Sequence, residues 1–183
     1  MSQNANTTAR TVAASADKRG SLDIAALVLL AILLAAGFVL NFTLGNALAI
    51  SGIKPQFIIA AYCLAVLLVR PGVPQAVVIG LVSAAVIQPT TSILGLNFLT
   101  EAAGAACMAL VVRAAGTGKA VPFAGALFTT FVSGALFAVC GTVLMQADMA
   151  TVLVKLPTVL GTAAFNAAVV QALFLPLSKI VRR

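Results

Sequence analysis

The chain has 183 residues, 62% of them hydrophobic and 8% charged, with a mean hydropathy of +1.14 and a formal net charge of +7. Soluble domains carry about a quarter of their residues as charges, so this composition excludes one and points to an all-α integral membrane protein. The chain has no His and no Trp, which excludes His-ligated metal, haem held by His and His-based acid–base catalysis. Its three cysteines, Cys63, Cys107 and Cys140, sit in apolar runs without paired spacing and read as small buried hydrophobes; no cofactor is expected.

Residues 1–22 are rich in Ala, Ser, Thr and Asn, with Arg10, Lys18 and Arg19, and are expected to form a disordered cytoplasmic tail. Residues 23–183 are expected to form one domain of six transmembrane helices. The first runs from about Asp23 to Leu44; its apolar core of about twenty residues exceeds that of a signal peptide, so it is read as retained. It carries Ala31 and Ala35 four apart, small-residue spacing that lets another helix approach closely in lipid. That face serves either packing within the chain or docking of a partner.

A loop holding Lys54 and Pro55 leads to a short second helix, about Gln56 to Val69, which Arg70-Pro-Gly-Val-Pro74 ends because proline cannot continue a helix. The third helix covers about Gln75 to Gln88 and the fourth about Asn97 to Arg113. The turn between the fourth and fifth, Gly116-Thr-Gly-Lys119, lacks the first Gly and the final Ser/Thr of a phosphate-binding loop. The fifth helix spans about Val121 to Met145 and the sixth about Leu156 to Val181, with Asp148 and Lys155 assigned to the loop between them.

Six spans place both termini on one side. Arg10, Lys18, Arg19, Arg70, Arg113, Lys119, Lys179, Arg182 and Arg183 then fall on that side, nine in all, against Lys54 and Lys155 on the other. The positive-inside rule makes the side with the termini cytoplasmic, in a plasma membrane. The basic charge is thereby used up by topology, and no nucleic-acid partner is expected.

The fourteen residues Gln88 to Glu101 gather three Thr, a Ser, an Asn, a Gln and a carboxylate around a Pro and a Gly. At membrane depth such groups are tolerated only against protein or a water-filled cavity. This segment is therefore read as one wall of a small-molecule site on the outer side. Lys54 and Glu101 suit a zwitterion, an ammonium near Glu101 and a carboxylate near Lys54. Thr90, Thr91, Ser92 and Asn97 add hydrogen bonds, with Phe57 and Phe98 as apolar walls. The alternative is an ion pair tying two loops, or two charges snorkelling to the lipid headgroups. No nucleophile is paired with a base and no nucleotide-binding motif is present, so the chain is not read as an enzyme, and energy for any uptake must come from elsewhere.

Six short apolar helices, Ala31-xxx-Ala35, and polar loops after the first and third helices resemble the substrate-binding S component of energy-coupling factor transporters. Gly52-Ile-Lys-Pro55, Val78-Ile-Gly-Leu-Val82 and Thr90-Thr-Ser-Ile-Leu-Gly-Leu-Asn97 resemble the tryptophan-transporter family within it. Gln56, Leu94 and Leu96 stand where that pattern has an acidic residue and prolines. The resemblance implies a bacterial membrane subunit that captures tryptophan or a related compound from outside and docks through Ala31 and Ala35 on a transmembrane scaffold subunit. Two cytoplasmic ATPases would drive release. It also implies that Lys54, Thr90, Thr91, Asn97 and Glu101 line the site. Two other readings stay open: a self-sufficient carrier or channel, and a non-transporting membrane assembly protein.

Overall fold

The computed structural model describes residues 22–49 and 55–181. Lys54, the expected tail up to residue 21 and the basic residues Arg10, Lys18, Arg19, Arg182 and Arg183 lie outside the described residues. Within them every regular element is helical: α1 (Ile24–Leu40), α2 (Phe57–Val69), α3 (Val73–Ile87), α4 (Leu96–Ala115), α5 (Val121–Leu144) and α6 (Ala150–Val181). Five of these helical stretches are long and apolar enough to cross a membrane; α2, with 13 residues, is the shorter apolar exception. The protein is a multi-pass membrane protein of all-helical fold.

Asp23 caps α1, its Oδ1 accepting from the Ala26 N–H at 2.8 Å, the usual way of satisfying a free donor at a helix start. The first helix was expected to end near Leu44. Instead it continues through a π-helical segment, Asn41–Gly45, and a last turn, Asn46–Ala49. The sixth was expected from Leu156 but begins at Ala150, where Asp148 Oδ1 accepts from the Ala150 N–H at 2.8 Å. Pro157 therefore lies inside α6 rather than near its start. Lys155 consequently projects from a helix and not from a loop.

The core is organised around α2. Every residue from Phe57 to Leu67 is buried, and α2 touches each of the other five helices. A helix that is apolar on all sides needs apolar neighbours on all sides, which explains the brevity of α2: at 1.5 Å per residue it rises only about 20 Å and is enclosed by protein. Around it α3 packs on α4, α4 on α5 and α5 on α6, while α1 lies against α2 and, more lightly, α3.

Glycines set two of these approaches. On α1 a Cβ at Gly37 would stand 3.0 Å from the Phe57 carbonyl oxygen and 3.1 Å from Ala61 Cβ. Gly37, with Ala26, Leu30 and Leu34, is the buried face of α1, whereas Ala31 and Ala35 are exposed. On α3 a Cβ at Gly80 would stand 2.5 Å from the carbonyl oxygen of Glu101, so α3 lies directly against the backbone that carries Glu101.

Candidate functional site

The helices alternate in direction, so the end of α1, the start of α2, the end of α3, the start of α4, the end of α5 and the start of α6 meet at one end of the bundle. There they enclose a cavity of 330 Å³, at the lower end of the range found for small-molecule sites.

The connector after α3 supplies Thr90, Thr91, Ser92 and Ile93 to the wall. Pro89 and Gly95 shape this connector: Gln88 to Thr90 form a tight 3-10 turn, and Gly95 sits at φ 84, a left-handed conformation that glycine adopts without a Cβ penalty. Gln88 Oε1 accepts from the Gly95 N–H at 3.2 Å and so holds the two ends together. On α5, Gly141 leaves room for Ile93, whose Cδ1 would be 2.9 Å from a Cβ there.

From the first two turns of α4, Asn97 and Glu101 face the cavity, four residues apart on one helix face. Asn97 is 5% and Glu101 3% exposed. Ser133 Oγ of α5 donates to Glu101 Oε2 at 3.3 Å. Tyr62 of α2, fully buried, brings its hydroxyl beside the same carboxylate without a hydrogen bond of regular geometry. Gly104, one turn below Glu101, leaves the space that the Tyr62 hydroxyl fills. No Lys or Arg pairs with Glu101 among the described residues. A carboxylate taken out of water loses several kcal/mol of solvation, which one long hydroxyl bond does not restore.

The α1 and α2 ends are tied together at the cavity. Asn41, turned inward by the π-helical segment, lines the cavity, and its Oδ1 accepts from the Phe57 N–H at 3.2 Å. It thereby caps a helix whose own preceding residue, Gln56, gives no side-chain cap. Extra-residue bulges of this kind recur at functional sites. From α6, Asn166 Nδ2 donates to the Gln56 carbonyl at 3.1 Å and to Thr130 Oγ1 at 3.4 Å.

Of the residues expected at the site, Thr90, Thr91, Asn97 and Glu101 share this cavity. Phe57 is buried beneath it, its ring edge-on to Phe165 at a centroid distance of 5.8 Å, and is not part of the wall. Phe98 is exposed on the outer side of α4, and Lys54 is outside the described residues.

The sequence reading missed the wall built by α5 and α6: Thr130, Ser133 and Phe137 on one, Lys155, Thr158 and Thr162 on the other. Their spacing of three, four and seven is a helix-face pattern, and hydroxyls repeating on one face of an apolar span were the available signal. Lys155 Nζ donates to Thr142 Oγ1 at 3.5 Å.

At the opposite end of the bundle stand Arg70, Arg113, Lys119 and Lys179. There Arg70 bonds Thr117, and Gln171 Nε2 donates to the Lys119 carbonyl at 3.1 Å. The cavity end holds Glu101 and Asp148, whereas Asp23 caps the start of α1 at the opposite end. Compared with models of protein families, with curated proteins and with solved structures, the chain matches none.

Proposed function

We propose that this protein is the membrane-embedded substrate-capture subunit of an importer of the energy-coupling factor type. The observation that carries the reading is Glu101: a buried carboxylate, without a cationic partner among the described residues, in the wall of a ligand-sized cavity rich in hydroxyls. Buried charges are paired in stable proteins, and a ligand ammonium or other cation supplies the partner that the described residues do not. Tryptophan, or a compound related to it, is the first candidate on the resemblance of residues 90–97. Asn97, Thr90 and Thr91 orient the ligand, and Phe137 provides an aromatic wall.

The basic end of the bundle is the cytoplasmic one under the positive-inside rule, so the cavity opens outward. Ala31 and Ala35 lie exposed on α1 while Gly37 makes the contact with α2. This leaves an apolar face, small at Ala31 and Ala35 and flanked by exposed Leu27 and Val28, for a scaffold subunit, which separate ATPases would energise.

The test is equilibrium binding by the detergent-purified chain, with tryptophan leading a panel of amino acids and vitamins. Because the chain has no Trp, the emission of added tryptophan reports the ligand almost alone. Saturable binding that Glu101→Gln weakens supports the reading. Absence of binding across the panel refutes it and favours a membrane assembly protein. Uptake by vesicles containing this chain alone replaces it with a self-sufficient carrier.

A further inference from the structure

Among the described residues Lys155 is the second charged residue in the cavity wall, and it stands far from the first. We propose that the ligand is an elongated amphoteric molecule: its ammonium meets Glu101 deep in the cavity, and an anionic group about 8 Å away, carboxylate or phosphate, meets Lys155 near the rim. This rests on the capture reading above and specifies its ligand.

Three observations carry it. Glu101 and Lys155 line one cavity, and neither has a counter-ion among the described residues. Asp148, the nearest acid in the chain to Lys155, is engaged with the Ala150 N–H at the start of α6. Lys155 is an exposed residue at the rim, and its ammonium is held against α5 by Thr142, a buried hydroxyl just outside the cavity wall; a snorkelling lysine would turn away from the bundle.

The separation follows from α5. Glu101 is bonded to Ser133 and Lys155 to Thr142, nine positions further along the same helix. Nine residues rise about 14 Å, so the two charges do not pair with each other. Taking the spacing of the two hydroxyls as that of the charges they hold, and about 3 Å for a charged hydrogen bond at each end, leaves about 8 Å between the ligand's own charges.

An α-amino acid carries ammonium and carboxylate on neighbouring carbons and therefore meets only one of the two residues. Tryptophan in this cavity leaves one protein charge unmatched. Opposite charges at the two ends also fix the ligand's direction, because the reversed pose sets ammonium against Lys155 and anion against Glu101. Between them, Thr158 and Phe137 give the middle of the ligand one hydroxyl and one aromatic contact.

The experiment is calorimetric titration of the full-length chain with 4-aminobutyrate, 6-aminohexanoate, 8-aminooctanoate and 12-aminododecanoate, alongside octylamine, octanoate and tryptophan. Affinity is expected to peak at the six- or eight-carbon member, with octylamine and octanoate roughly tenfold weaker or worse. Lys155→Met should erase the advantage of 8-aminooctanoate over octylamine, Lys155→Arg should retain it, and Glu101→Gln should erase the advantage over octanoate.

Tryptophan binding that ignores Lys155→Met, with no ω-amino acid competing, overturns the two-charge ligand and leaves the capture reading standing. Competition without a length optimum overturns it too. Failure of every compound, tryptophan and the vitamin panel included, removes both.

Discussion

Replacing Gly80 with alanine tests how tightly α3 fixes the position of Glu101. The added Cβ would lie 2.5 Å from the Glu101 carbonyl oxygen, 2.8 Å from Ala102 Cα and 2.9 Å from the Glu101 carbonyl carbon. Ordinary contact begins at 3.4 Å, so relief needs a displacement of about 0.9 Å, the difference between 3.4 and 2.5 Å. All three atoms are backbone and no rotamer change moves them, so α3 and α4 must part. Overpacking of this kind costs about 1–3 kcal/mol, or on the order of 2–12 °C in melting temperature for a chain of this size. Thermal unfolding in detergent reads the stability, and ligand titration reads the position of Glu101, since a misplacement near 1 Å loosens a charged hydrogen bond. A melting temperature and an affinity both equal to those of the parent would refute the close α3–α4 contact. Loss of stability with unchanged affinity would show that the helices part without moving the carboxylate.

Glu101→Gln should act on stability and binding in opposite directions: the ligand-free protein melts at an equal or higher temperature because the unpaired buried charge is gone, while a cationic ligand loses about 1.5–3 kcal/mol, or roughly 10- to 100-fold in affinity. A less stable variant with intact binding would refute this, and the same melting and titration assays decide it. Asn166→Ala removes the amide that serves both the Gln56 carbonyl and Thr130. A cost of about 1–3 kcal/mol is expected in denaturant titration, and a change below 0.5 kcal/mol would argue against the tie between α6 and the start of α2. Ala31→Leu combined with Ala35→Leu should leave melting and ligand affinity within error, because both positions are exposed, yet abolish co-purification with a scaffold subunit if that face docks.

Much of the bundle was legible because apolar spans separated by Gly, Pro and charge have few alternatives in lipid. The Arg70-Pro-Gly turn and the Gly116 turn fall where their breakers stand. Thr90, Thr91, Asn97 and Glu101 were legible as one wall because a cluster of polar groups around a Pro and a Gly is conspicuous in so apolar a chain. Lys155 was misplaced for the converse reason. Charge before an apolar run reads as loop, and Pro157 reads as a helix start, whereas α6 passes through both. Proline inside a membrane helix is tolerated when neighbouring groups re-satisfy the freed carbonyl, and nothing in the local sequence announces that. Thr130 and Ser133 escaped notice because hydroxyls are ordinary in apolar helices; only their shared face with Phe137 sets them apart. The π-helical turn of α1 is a tertiary effect, visible only once Asn41 is seen to cap α2.

The enclosure of α2 bears on how the chain assembles. Its eleven residues from Phe57 to Leu67 meet protein on every side, yet α3, α4, α5 and α6 are all synthesised after it. While the ribosome is still producing those later spans, α2 has only α1 beside it, and lipid must cover the surfaces they will later take. Its shortness then becomes a biogenesis constraint, because about 20 Å of apolar helix is a poor match to a hydrocarbon layer of about 30 Å. Final docking of α6 closes the last side through Asn166 and Gln56. Truncation before α6 should therefore yield a chain that inserts but is recognised by membrane proteases as unfinished.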